Sequence, residues 1–217
     1  MISMEAYKKN PCGVSSIPYW KAKSMIIPSN MKIVHSSEFD EKFLDNFLDK
    51  SFFRLIHDLS NIPEFNVTGI EFGVISSSRM DELTDMINCS YAHSKIRVST
   101  DYIRSLTTTQ VYCPELWIGA FLNGKLIGSI LCDFDIEVGE AIIEWLQVLP
   151  EYRGRGIASA LVCTALKAVS NFADFATVSG ECDNITNPER VYRNCGFEGD
   201  DVWHILSKKT FAYLTGE

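Results

Sequence analysis

Three groups of residues in this chain could do chemistry, and the most specific is Arg153-Gly154-Arg155-Gly156-Ile157-Ala158. It follows an apolar run, Ala141 to Val148, and precedes a helical stripe of Ile157, Leu161, Ala165 and Val169. A strand, a glycine-containing turn and a helix start form an anion site. The first N–H groups of a helix lack an internal partner, and the helix dipole favours negative charge there. Glycines let the backbone come close to a phosphate, and two arginines add planar, permanently charged donors. The spacing is neither G-x-x-x-x-G-K-[ST] nor G-x-G-x-x-G, which disfavours a nucleotide P-loop and a dinucleotide fold. The second group is a carboxylate set. Glu144 stands alone in the apolar strand, which is costly unless it is used or ion-paired, and Asp133 and Asp135 end the strand before it. The third is the run Asn187 to Phe197, with Tyr192 at its centre. No serine–histidine or cysteine–histidine triad is visible. His57 reads as a packing or hydrogen-bonding residue, since no second metal ligand lies at a useful spacing.

The elements that must hold these groups read in order from Gly69. Ile70–Ile75 alternates as a strand. Ser76 to Ser78 cap a helix that runs to about His93, with Met80, Leu83, Met86, Ile87 and Tyr91 on its apolar side. Thr100 caps a short helix, Asp101 to Leu106. Strands at Trp117–Leu122 and Lys125–Cys132 flank Asn123-Gly124, a strong hairpin signal. A turn at Glu137–Gly139 leads into the Ala141–Val148 strand, which Pro150 ends. After the long helix come a strand at Ala176–Cys182, a helix started by Asn187-Pro188 and stopped at Gly196, and closing strands at Phe197 and Val202–Leu206.

Upstream the pattern is less regular. Residues 1–30 read as irregular, with extended pieces at Met25–Ile27 and Met31–Val34. A helix is expected over about 38–49, capped by Ser36 or Ser37, with Phe39, Phe43, Leu44, Phe47 and Leu48 on one face. Phe52–Leu59 reads equally as helix or strand. The division expected is an N-terminal extension, residues 1–69, packed on a main domain, residues 70–217.

Composition narrows the function. Apolar residues make up 46% and charged residues 22%, as in a soluble globular protein, and the chain lacks a run long enough to span a membrane or to form a signal-peptide core. Seven scattered cysteines without a C-x-x-C pair suggest reduced thiols in the cytoplasm and no metal site. The net charge of −8 arises wholly in residues 70–217, with twelve basic and twenty acidic side chains. That disfavours nucleic-acid binding and suits a cationic substrate.

The order Arg-x-x-Gly-x-Ala after a strand ending Val-x-Pro resembles the acyl-coenzyme A loop of the GNAT superfamily of N-acetyltransferases. The run Asn187 to Phe197 is similar to that family's closing N-x-x-x-x-Tyr-x-x-x-Gly-Phe block, and the Asn-Gly hairpin lies at the expected separation upstream. The resemblance covers about residues 70–210. It implies an α/β (α+β) fold of the GNAT type, a mixed central sheet with helices on both faces. It implies acetyl-coenzyme A as co-substrate, held by Arg153, Gly154, Arg155, Gly156, Ile157 and Ala158, by the backbone at Leu146 and Val148, and by Asn184 and Asn187, although Asn187 also suits a helix cap. It makes Tyr192 the proton donor to the leaving thiolate, against a plain packing role, and Glu144 the base, against a structural ion pair or a base at Asp133 or Asp135. The acceptor implied is a small-molecule or peptide amine, with homodimerisation left open. A non-catalytic acyl-coenzyme A sensor and a pure interaction protein are the competing functions.

Overall fold

In a computed structural model of the chain, residues 2–92 and 96–209 are described. Eight strands form one mixed sheet: β1 (Met31–His35), β2 (Phe47–His57), β3 (Glu71–Val74), β4 (Tyr112–Leu122), β5 (Lys125–Asp135), β6 (Glu140–Val148), β7 (Phe175–Glu181) and β8 (Glu198–Lys208). Their order is β1-β8-β2-β7-β6-β5-β4-β3. The helices are α1 (Met4–Lys9), α2 (Pro11–Val14), α3 (Tyr19–Ala22), α4 (Met80–Ser90), α5 (Thr100–Leu106), α6 (Ile157–Val169) and α7 (Pro188–Asn194). The chain divides into two compact units, one of residues 1–55, 179–187 and 199–217, the other of residues 56–178 and 188–198.

The second unit follows the sequence pattern closely. Asn123 and Gly124 have φ of 50° and 78°, the left-handed pair that a two-residue hairpin needs, and they join β4 to β5 where Leu122 faces Lys125. Gly119 leaves room for the Phe121 ring and the Leu126 side chain, which a Cβ there would meet at 2.6 Å and 2.7 Å. In α4, Met80, Leu83, Thr84 and Ile87 share one buried stripe at helical spacing. In α6 the whole face of Ile157, Ala160, Leu161, Cys163, Ala165 and Leu166 is buried. The two helices cover opposite sides of β6. A Cβ on Gly128, opposite Val148, would touch both Val148 and Leu161 of α6, whereas Trp145 meets Tyr91, just past α4, edge to face at 5.9 Å. Val148 and Trp145 are three residues apart, so the strand's alternation turns them to opposite faces.

Some details differ from the sequence reading. Ser99, one residue before Thr100, caps α5 by accepting from the Tyr102 N–H. α4 ends at Ser90, and His93 lies outside the described residues. The closing segment is one long strand, β8, rather than separate pieces.

In the first unit two expectations fail. Residues 1–30 hold three short helices. Ser3 caps α1 through the Ala6 N–H, and Asn10 caps α2 through the Gly13 N–H with Pro11 in its first turn. The helix expected over 38–49 is absent. Two 3₁₀ turns, Ser36–Glu38 and Glu41–Asp45, precede β2, which begins at Phe47. The aromatic spacing that mimics a helical stripe is used otherwise, with Phe39 stacked on His204 at 3.9 Å and Lys32 over the rings of Phe43 and Phe47. Phe52–Leu59, open between helix and strand, lies mostly in β2. Its Arg54 is 1% exposed and donates to the Tyr7 hydroxyl at 2.7 Å and to the Ser179 hydroxyl at 3.2 Å, so a buried cation ties β2 to α1 within this unit.

Candidate active site

Strand β6 changes partners at Glu144. Against β5, Leu131 faces Trp145 while the next residue, Cys132, faces Ile143, so Glu144 is the extra residue of a β-bulge. The parallel register with β7 runs Glu140–Phe175, Ala141–Ala176, Ile142–Thr177 and Ile143–Val178, and goes no further. From the bulge to Val148 the edge of β6 turned away from β5 has no β7 partner among the described residues. Alternate backbone groups of an antiparallel strand point to that edge, and two of its carbonyls, those of Leu146 and Val148, accept from the Tyr91 hydroxyl and from Arg153.

β6 leads through Pro150–Tyr152, a single 3₁₀ turn, into the glycine–arginine loop. Gly154 and Gly156 have φ of 75° and 80°, the left-handed region that favours glycine. Nothing stands within 4 Å of where a Gly154 Cβ would be, and only Val67, at 3.9 Å, lies near that of Gly156. Gly156 is the N-cap of α6, and no side chain accepts from the first turn. The loop therefore offers the start of a thirteen-residue helix, with no side-chain cap, beside open space, the geometry that anions take.

The two arginines do different things. Arg153 donates from Nε to the Val148 carbonyl at 3.0 Å and from Nη2 to the Ser90 carbonyl at 2.7 Å, bracing the loop against the ends of β6 and α4. Arg155 is exposed, lies over the Tyr152 ring at 5.3 Å and donates to the Glu151 carbonyl at 3.1 Å.

The carboxylates are sorted by burial. Asp135 is 3% exposed and accepts from the Glu137 N–H at 3.0 Å, which fixes the turn before β6. Glu140 is fully buried and accepts from the Thr177 hydroxyl. Glu144 and Asp133 are half-buried, and both act on the Tyr102 phenol, which burial pushes up and the two carboxylates push further.

Tyr192, on α7, is 5% exposed and meets Phe197 edge to face at 5.8 Å. Burial raises its pKa, and Tyr91, Cys132 and Cys195 add to the rise, so the hydroxyl keeps its proton throughout the working pH range. His57 holds this region in place. Its Nε2 donates to the Cys195 carbonyl at 3.1 Å, its Nδ1 accepts from the Leu59 N–H at 2.8 Å, and a Cβ on Gly196 would stand 2.8 Å from Nε2.

Among the sequence candidates, the structure thus joins Arg153, Gly154, Arg155, Gly156, Ile157 and Ala158 to the end of β6 at Leu146 and Val148. Asn184 and Asn187 belong to the other compact unit. Asn184 accepts from the Thr186 N–H and hydroxyl in an Asx turn, and Asn187, with φ of 46°, donates its N–H to the Asn184 carbonyl. Sequence reasoning missed Tyr91 as a site residue. It was placed on the apolar side of α4, yet its hydroxyl donates to the Leu146 carbonyl at 3.3 Å and it interacts with Arg153 and Tyr192. It missed Trp145 and Tyr102 as well. They line a cleft of about 710 Å³ with Ile96, Arg97, Val98 and Ser99. Among the described residues no group of three His, Cys, Asp or Glu side chains could hold a metal ion, and no helix is long and apolar enough to cross a membrane.

Comparison with known proteins bears on this geometry. The family model of the acetyltransferase (GNAT) family matches residues 80–197. An acetyltransferase of Yersinia pestis (strain Pestoides F) is 45% identical over 49 residues, 23% of this chain and 33% of that protein. The N-alpha-acetyltransferase MAK3 of Arabidopsis thaliana is 38% identical over 103 residues, 46% of this chain and 50% of that protein. The chain thus spans a third to a half of the length of these curated relatives. A GCN5-related N-acetyltransferase from Sphaerobacter thermophilus has the same fold, with a TM-score of 0.67 at 19% identity over 84% of this chain and 61% of that one.

Proposed function

This chain belongs to the GNAT acetyltransferase family, and from that premise we propose that it moves the acetyl group of acetyl-coenzyme A directly to a primary amine. The observation that carries the proposal is the uncapped start of α6 behind two left-handed glycines, at the point where β6 has left β7. The residues there fit a polyanionic cofactor. The space beside Gly154 is open, the helix start presents amides, and Arg155 is exposed beside it.

When bound, acetyl-coenzyme A supplies an activated thioester. The chain's own residues do the rest. Gly154 to Ala158 hold the phosphates, and the open edge of β6 around Leu146 and Val148 orients the acyl carbonyl by hydrogen bonds that strengthen as its oxygen gains charge. Glu144 takes a proton from the incoming ammonium, directly or through water, since only the free amine can attack. In favour of Glu144 over Glu140 is that Glu144 is half-buried at the bulge, whereas Glu140 is fully buried on the Thr177 hydroxyl. Tyr192 keeps its proton by burial and gives it to the departing thiolate. The partner in this reading is a small-molecule or peptide amine, the reaction is cytoplasmic, and neither nucleic acid nor membrane takes part. Purified protein with acetyl-coenzyme A and an amine panel should release free thiol in step with acetylated amine detected by mass spectrometry. Thiol release without any acetylated product, or no release at all, contradicts it.

A further inference from the structure

The connection between β2 and β3, residues 58–70, is thirteen residues long and holds neither helix nor strand. Loops of that length without secondary structure are uncommon within a compact unit and usually serve a function. This one is tied to the second unit along its course. At its start the Leu59 N–H donates to His57, with Leu59 at a φ of 63°, and the Asp58 carboxylate accepts from the Ser60 N–H and hydroxyl. The Asn61 carbonyl oxygen then lies against Gly196, 3.5 Å from where a Cβ would stand, just past the helix that carries Tyr192. Glu64 follows and ion-pairs with Lys167 of α6 at 3.1 Å. Val67 reaches the other end of α6, 3.9 Å from where a Gly156 Cβ would stand. A turn closed by the Ile70 N–H on the Val67 carbonyl, with Gly69 at a φ of 77°, passes into β3.

The side chains of this strap are sorted by position. Phe65 and Val67 are half-buried, and Glu64, Asn66 and Thr68 are exposed. Its two charged groups are both acidic, and both are engaged by neighbours, Asp58 by Ser60 and Glu64 by Lys167. The stretch that reaches Gly156, Asn66-Val67-Thr68, carries no charge. A neutral branched side chain beside a helix start keeps water away without opposing an anion, whereas an acidic one there would repel it.

Resting on the acetyltransferase reading above, we propose that this strap is the outer wall of the cofactor site, and that Val67 touches the phosphate-bearing part of bound acetyl-coenzyme A. The strap lies outside residues 80–197, the part of the chain that the family model matches. Val67 is a binding residue in this account. It bears on how tightly the cofactor is held and takes no part in the transfer itself.

A charge series at this one position is the test. Calorimetry on the full chain measures the Kd of acetyl-coenzyme A for the wild type, Val67→Lys, Val67→Asn and Val67→Asp. Val67→Asp should bind at least about tenfold more weakly than its near-isostere Val67→Asn, and Val67→Lys about threefold more tightly than Val67→Asn. Both gaps should narrow at about 0.5 M salt, where the field is screened. The position is half-buried, so the unliganded Tm should stay alike across the series, and if Val67→Asp does not fold, the Lys–Asn pair decides. Variants of equal affinity overturn the proposal. If all match the wild type, the strap lies outside the site; if all are equally weakened, Val67 is a packing residue. If the wild type itself binds no acetyl-coenzyme A, the reading beneath fails first.

Discussion

The loop at the head of α6 and the cleft beside Trp145 are built in opposite ways. Every atom of the loop that would meet a ligand comes from six consecutive residues, Arg153 to Ala158, and its shape follows from two glycines and a helix start. The cleft is assembled from the segment 96–102, which the Asn88–Val98 hydrogen bonds tie to α4, and from Trp145 of β6, the residue after the bulge. In the function proposed above the loop takes a chemical constant, phosphate, with backbone groups, whereas the cleft is lined by side chains. Damage to the loop should therefore remove activity towards every acceptor, whereas damage to the cleft should change which acceptor is used and how the rate depends on pH.

The largest expected effect breaks the loop side. Gly156→Glu puts a negative side chain into the phosphate site at a φ of 80°, which costs a non-glycine residue about 1–2 kcal/mol. The fold should survive by circular dichroism. The wild type should gain about 2.7 kcal/mol of stability at an acetyl-coenzyme A concentration of 100 times Kd, and the variant should gain nothing measurable in the same thermal-shift experiment.

Tyr192→Phe comes next. It removes one hydroxyl and keeps the ring against Phe197, so stability and acetyl-coenzyme A affinity should hold while kcat falls by roughly 10²–10⁴ and KM changes little. Full activity with the preferred acceptor would assign thiolate protonation elsewhere, and Tyr91 is the nearest alternative, since it interacts with Tyr192 and burial raises its pKa in the same way.

Glu144→Gln sharpens the cleft side. The rate at neutral pH should fall by about 10² and recover partly as pH rises, because free amine then becomes abundant without a base. Acetyl-coenzyme A affinity should be unaltered. A pH–rate profile of unchanged shape would pass the role to Asp133 or to an amine that arrives deprotonated.

The smallest effect concerns neither region but the scaffold. Burial holds the His57 imidazole below its ordinary 6.5, so it is neutral when folded, and the unfolded chain takes up its proton first. Its contribution to stability is fully present above about pH 6.5 and is lost as pH falls through the lowered folded value. The urea midpoint of the wild type should drop more steeply than that of His57→Gln between about pH 7.5 and about pH 5. Equal slopes would mean that His57 titrates alike in both states.

The same contrast governs how much could be read from sequence. Asn123-Gly124, Gly156 and the stripe of α6 are local statements, and a single stretch of chain suffices to recognise them. The bulge at Glu144 is not local. It exists because β5 has no residue to match it, and no pattern within β6 announces that. Tyr91 looked like an ordinary apolar-face residue because its hydroxyl partner, the Leu146 carbonyl, lies on a strand far along the chain. The misreading of 36–49 has a different cause. Phe39, Phe43 and Phe47 repeat every four residues as in a helix, but Asp40 caps a new turn inside the run, and the rings are taken up by His204 and Lys32. Helices as short as α1 to α3 complete too few turns for periodicity to show; Ser3 caps α1 and Asn10 with Pro11 starts α2, while α3 has no side-chain cap.

Calorimetric titration of acetyl-coenzyme A into the wild-type chain tests the central claim most directly. One molecule should bind per chain, and the heat should vanish in Gly156→Glu. No binding at about 1 mM would contradict the account, because the loop would then be an ordinary strand-to-helix turn.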